Sequence, residues 1–258
     1  WTAALSVSYL AVLLSAPLVG AWADAHAAKK KVLLAATVGC VLFTAALYFC
    51  GPGTVALAIA LIILSNFFFA TGENLIASFL TELADSHAMG RVSGWGWAFG
   101  YIGGIVSLGV SLAYITVAQG EGRTGNEFVP VVMLITAGIF ALAAAPTFIF
   151  LKERARPHRV LEHPWTRVKA TLRQSRRYHD LRKFLVCILF YQAGIQAVIA
   201  LAAIYAQEAM KFTSQQTIVL VLVVNVTAAF GAFGFGYLQD IIGHIKSMYL
   251  VLIGWIIM

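Results

Sequence analysis

Seven apolar stretches of membrane-spanning length follow one another between short polar loops, and no other feature restricts the possible folds as much. A hydrocarbon core about 30 Å thick needs ~20 apolar residues per helix. The runs at 2–22, 32–50, 54–79, 93–118, 128–151, 184–207 and 216–238 meet that requirement. The pattern predicts an all-α, multi-pass membrane protein. A spanning barrel would show segments of about ten residues with alternating polarity, and none is present. Only 11% of residues are charged, against about 25% in a soluble domain, so a soluble globule is excluded.

The basic residues give orientation. The loops at 24–31, 80–92, 152–183 and 240–246 hold 3, 1, 11 and 1 Lys or Arg, while the alternate loops hold only Arg123 and Lys211. By the positive-inside rule the first set is expected in the cytoplasm. The net charge of +7 is thereby explained by membrane orientation, and no nucleic-acid partner is expected. The long basic loop divides the chain into residues 1–151, a linker at 152–183 and residues 184–258. The linker includes WTRVKATLRQSRRYHDLRKF, read as a solvated or headgroup-lying helical connector, with an anionic-lipid sensor as the alternative. An eighth apolar run begins near Ser247 and reaches Met258, and the chain opens almost inside its first helix. We therefore expect the middle of a longer chain, and no signal peptide ahead of the first helix.

Chemistry-bearing motifs are sparse. Cys40, Cys50 and Cys187 all sit in apolar runs and read as packing residues rather than a disulfide framework or zinc site. The sequence has no G-x-x-x-x-G-K phosphate loop, no H-E-x-x-H and no G-x-S-x-G, and its histidines have no metal-ligand spacing. Neither a cofactor, a metal nor an enzymatic activity is expected. This argues for vectorial transport rather than chemistry.

A repeat supports it. GAWADAHAAKKK contains Gly20, Asp24 and Lys29 to Lys31, and GYLQDIIGHIK contains Gly236, Asp240, Gly243 and Lys246. Each places Asp four residues after Gly and ahead of basic residues. The two Asp lie 216 residues apart, so a repeat unit holds about six helices, as in transporters built from two parallel repeats. This signature resembles the loop motif of the major facilitator superfamily, found between its second and third helices and again between its eighth and ninth. On that mapping the chain runs from helix two into helix nine. RVSGWGWAFGYIGG (91–104) and FLVCILFYQAGIQAVIALAAIYA (184–206) are similar to the autophagy-related vacuole effluxer branch and its bacterial relatives. The resemblance implies the major facilitator fold and suggests amino acids as cargo. The chain departs from that branch at Ala193, where an Asp is usual, and lacks a Pro in VNVTAAFGAFGFG.

Polar groups inside spans are costly and are therefore functional candidates. Glu73, with Asn74 beside it, is the one acidic residue well inside a span and the candidate proton carrier. Its alternative is a structural hydrogen bond, or a helix that ends before reaching it. Gln192 and Gln196 lie one turn apart, next to Tyr191, and can present two amides to one polar solute, with interhelical bonding as the alternative. Asn225 is weighed in the same way, and Tyr101 is a further cavity candidate. Asp24 and Asp240, with Gly20, Arg91, Gly236 and Lys246, form the candidate conformational latch. A carboxylate at each position can accept from the N-terminus of another helix or pair with Arg91, with plain capping of the loop as the alternative. Gly96, Gly100 and Gly104, and Gly231, Gly234 and Gly236, suit close helix contact between two halves. Trp22, Trp95 and Trp97 read as interface anchors. The expected function is secondary transport of a small polar metabolite, with proton coupling or facilitated diffusion both open. The alternative is a non-transporting receptor or lipid-handling protein on the same scaffold.

Overall fold

The computed structural model describes residues 2–85, 87–153, 165–166, 169–170, 173 and 178–257. Most of the basic connector therefore lies outside the described residues. The seven apolar runs are seven helices: α1 (Thr2–Ala25), α2 (Lys29–Ala46, prolonged by a 3-10 turn at Leu47–Phe49), α3 (Val55–Leu83), α4 (Met89–Gly120), α5 (Gly125–Phe150), α6 (His179–Glu208) and α7 (Ser214–Ile242). The shorter α8 (His244–Ile257) follows directly. All seven are long and apolar enough to span, and no strand occurs among the described residues. The chain is an all-α, multi-pass integral membrane protein.

Several helices run about a turn past the apolar runs at the end that carries the basic loops. α3 reaches Leu83, α4 starts at Met89, α6 at His179, and α7 ends at Ile242. Hydropathy marks the hydrocarbon core, whereas backbone hydrogen bonding continues into the headgroup region, which adds 10–15 Å to the total thickness.

Apolar burial gives little drive to helix association in lipid, so packing and interhelical hydrogen bonds hold the bundle. Ala23, Leu33, Leu75 and Phe79 form a buried cluster where α1, α2 and α3 meet near the basic loops. Further along, Ser65 bonds Thr44 at 2.6 Å and Asn66 donates to Ser8 at 3.0 Å, tying α3 to α2 and to α1. The most extensive helix pair is α4 with α7, and it joins α1–α5 to α6–α8.

Candidate functional site

The α4–α7 seam begins with a missing cap. The first N–H groups of a helix need an acceptor, which Ser, Thr, Asp or Asn at the N-cap normally supplies. At α4 that residue is Ala88, which offers none. Asp240, near the end of α7, fills the gap. Its carboxylate accepts from the N–H of Gly90 at 3.0 Å, from the N–H of Arg91 at 3.0 Å and from Arg91 Nε at 3.2 Å. The negative charge also sits at the positive end of the helix dipole.

This approach requires glycine. A Cβ on Gly90 would strike the Asp240 carboxylate, and one on Gly94 would lie 2.6 Å from the Ala232 carbonyl oxygen and 2.9 Å from Gly236 Cα. One on Gly236 would lie 2.9 Å from the Gly90 carbonyl oxygen. Gly96, Gly100, Gly231 and Gly234, expected at the contact, have open space where a Cβ would stand, whereas Gly104 and Gly236 do take part. The sequence reading had the right helices and only part of the face. Gly90 and Gly94 were missed, although the Ala at the N-cap of α4 was a usable signal.

The first copy of the motif is built differently. Asp24 is half exposed and pairs with Lys29 at 3.3 Å, while Lys29 also holds Glu82 at 2.8 Å. Arg91 pairs with Asp240, and no contact between Asp24 and Arg91 forms among the described residues. Gly20 has open space around it. Ala27 stands where the second copy has Gly243, and both have positive φ, +46° and +86°. The chain around Ala27 closes α1 in a Schellman turn, with Ala28 N–H bonding Ala23 O at 2.9 Å and Ala27 N–H bonding Asp24 O at 3.4 Å. The N-cap of α2 is likewise an alanine, Ala28, without a side-chain bond. Glu153, just after α5, supplies the acceptor, taking the N–H of Lys30 at 2.7 Å. Lys246 is exposed and has no partner among the described residues.

The candidate cavity residues fall in separate places. Glu73 lies within α3, about 15 Å along the axis from Leu83, so the helix does not end before it. It lines a groove of about 450 Å³ between α2, α3, α4 and α5, together with Phe68, Phe69, Trp97, Phe140, Thr37 and Ser93. Glu73 is its one charged lining residue and has no hydrogen-bond or ion-pair partner among the described residues. Asn74, a helical step of about 100° further round, faces a different and smaller cavity of about 130 Å³ beside Gly20, Asp24 and Lys29. Trp97 is thus a groove residue, and Tyr101 lies beside it with ring centres 6.1 Å apart. Trp22 stacks on His26 and Trp95 approaches Tyr237. Asn225 lies at the seam: it donates to its own helix at Val221 O, 2.8 Å, and its oxygen would be 3.0 Å from a Cβ on Gly104. Gln192 and Gln196 are exposed on α6 and Tyr191 is half-buried, with no hydrogen bond among the described residues. The structure does not bring them to Glu73. No cluster able to hold a metal ion occurs among the described residues.

Comparison with known proteins agrees with this architecture. The family profile of vacuole effluxers like Atg22 matches residues 1–258. An uncharacterized transporter of the major facilitator type, YxiO of Bacillus subtilis (strain 168), is 27% identical over 235 residues, covering 89% of this chain and 54% of its own length. The chain thus spans about half the length of that curated relative. No solved structure matches. With an all-α multi-pass fold, a motif repeated across a basic connector and a family match over its whole length, the chain belongs to the Atg22-like vacuole effluxer family of major facilitator transporters.

Proposed function

We propose that the full-length protein is a secondary transporter that moves a small polar metabolite, amino acids foremost, by alternating access. The halves are 1–151 and 184–258, joined by the linker 152–183, and the loops at 24–31, 80–92, 152–183 and 240–246 face the cytoplasm. The observation that carries this reading is the bond of Asp240 to the N-terminus of α4, which crosses from one half to the other. Such a contact is local, polar and breakable, so it biases an equilibrium between two arrangements without forming part of a solute site. Glu73 is the candidate proton carrier, because it is the one charged residue of its groove and intramembrane carboxyls mark proton and solute paths. Gln192 and Gln196 are solute-contact candidates on the other half.

The test is counterflow in proteoliposomes containing the full-length protein, preloaded with amino acids, sugars and nucleosides and read by mass spectrometry at two pH values. Exchange of one class identifies the cargo. Loss of the pH dependence in Glu73→Gln assigns coupling to Glu73, and an unchanged pH profile removes Glu73 from the mechanism. The second reading, a non-transporting receptor or lipid-handling protein, is favoured by the mostly apolar lining of the Glu73 groove. Absence of exchange by folded protein selects it.

A further inference from the structure

The α4–α7 seam is fastened at both ends. Gln119, in the last turn of α4, accepts at Oε1 a hydrogen bond from Gln215 Nε2, in the first turn of α7, at 2.7 Å. Gly90 and Gln119 are separated by about 44 Å of helix, the full thickness of a bilayer with its headgroups. The Gln pair therefore lies at the opposite face from Asp240. Between the two, the seam stays closed at Gly94 with Gly236 and at Gly104 with Asn225. Beside the Gln pair, Ala118 and Thr217 are only 1% and 5% exposed, so both side chains are covered at that end. Neither side-chain amide has another partner among the described residues.

We propose that Gln119 and Gln215 form a second clasp, which must release for the seam to open at the face away from the basic loops. Two stiff helices in contact along their whole length open by tilting, and a tilt breaks the bond at one end while the other end remains closed. The two ends differ in chemistry. Three donors converge on an ionised acceptor at Asp240, whereas the Gln clasp is one neutral and exposed amide bond, which is the weaker kind. The face away from the basic loops is therefore the one that opens more readily from this arrangement.

The labelling arm of the test stands apart from transport, and the exchange arm rests on the transporter reading above. In full-length protein with every native cysteine replaced by Ser, Cys40, Cys50 and Cys187 among them, Ser111→Cys is the reporter. Ser111 is 6% exposed and lies about two turns inward from Gln119, on the face that carries Gly104. A membrane-impermeant maleimide added at the face away from the basic loops should label it several-fold faster when Gln215→Ala is present. Labelling should slow when Gln119→Glu and Gln215→Lys replace the amides with an ion pair. Equal rates in all three overturn the clasp. In the exchange arm, Gln119→Cys and Gln215→Cys are bridged by a short reducible bifunctional reagent. Exchange should fall at least tenfold and return on reduction; exchange that persists in bridged protein also overturns the clasp. No exchange even before bridging defeats the transporter reading instead, and the labelling rates still decide the clasp.

Discussion

Arg91 gives Asp240 two hydrogen bonds, one from its backbone N–H at 3.0 Å and one from Nε at 3.2 Å. The backbone bond matters more. The Arg91 side chain is 47% exposed, and an ion pair in that setting contributes about 0–1 kcal/mol. The two backbone bonds, from Gly90 and Arg91, reach a carboxylate only 10% exposed, and bonds to ionised acceptors are worth about 1.5–3 kcal/mol. We expect Asp240→Ala to cost this closed arrangement roughly 2 kcal/mol, more than a tenfold shift in population. Asp24→Ala should do much less, because the Lys29 that Asp24 pairs with keeps Glu82. Labelling of Ala98→Cys, buried on the seam side of α4, checks both in full-length protein. Equal acceleration by the two substitutions would show that the motif copies act alike and contradict this account.

Gly94 and Gly96 differ by two residues and should differ sharply in tolerance. A Cβ at Gly94 meets backbone at 2.6 and 2.9 Å, whereas one at Gly96 meets nothing within 4 Å. Backbone cannot turn aside as a flexible side chain can, so the helices must separate. Overpacking of this kind costs about 1–3 kcal/mol. Gly94→Ala should lower the thermal midpoint in detergent by several degrees, and Gly96→Ala should leave it unchanged or slightly raise it. Similar midpoints for the two variants would mean that the close approach of α4 and α7 is wrong.

Ala27 pays for a backbone shape that suits glycine. At φ +46° an L-residue bears about 1–2 kcal/mol, and the second motif copy has Gly243 at the corresponding position. Part of the gain from Ala27→Gly is lost, because glycine makes the unfolded chain freer by about 0.4–1 kcal/mol. The expected net is a stabilisation of about 0.5–1 kcal/mol, seen as a small rise in thermal midpoint. A fall in midpoint would show that Ala27 is not held in the left-handed region.

How much of this was legible depended on the range of the interaction. Seven spans followed from apolar length alone, because the bilayer sets that length and no tertiary contact alters it. Asp240 was legible as a residue able to reach a helix N-terminus, since a carboxylate four residues after a glycine recurs at Asp24. The weaker first copy, with Ala27 where the second has Gly243, was legible; that Asp24 and Asp240 take different partners was not, because the pairing of Lys29 with Asp24 and Glu82 depends on how α1, α2 and α3 pack. The glycine face of α4 was misjudged for a related reason. Gly96, Gly100 and Gly104 make a regular spacing, but which stripe meets α7 is set by the partner: Gly90, Gly94 and Gly104 lie on it, and Gly96 and Gly100 do not. Glu73 and Asn74, adjacent in sequence, were read together and are turned toward separate cavities by the helical step.

Glu153 performs for α2 what Asp240 does for α4, and this can be tested separately from the seam. The first turn of α2 carries Lys29, Lys30 and Lys31, with no acidic residue and no local cap. Three positive side chains at the positive end of a helix dipole are unfavourable. Glu153 offsets them by accepting from the N–H of Lys30 at 2.7 Å, while the Lys30 ammonium donates to the carbonyl of Leu151. Loss of a cap costs about 0.5–2 kcal/mol, so Glu153→Ala should fray the first turn of α2. Glu153→Gln keeps an acceptor oxygen and loses the charge, and should cost roughly half as much. Hydrogen exchange of the α2 amides near Lys30 reads this directly: rates should rise in the order parent, Gln, Ala, while amides of α3 stay slow. Unchanged exchange at the start of α2 in the Ala variant would show that another group caps the helix, and that the segment after α5 is not held there by its carboxylate.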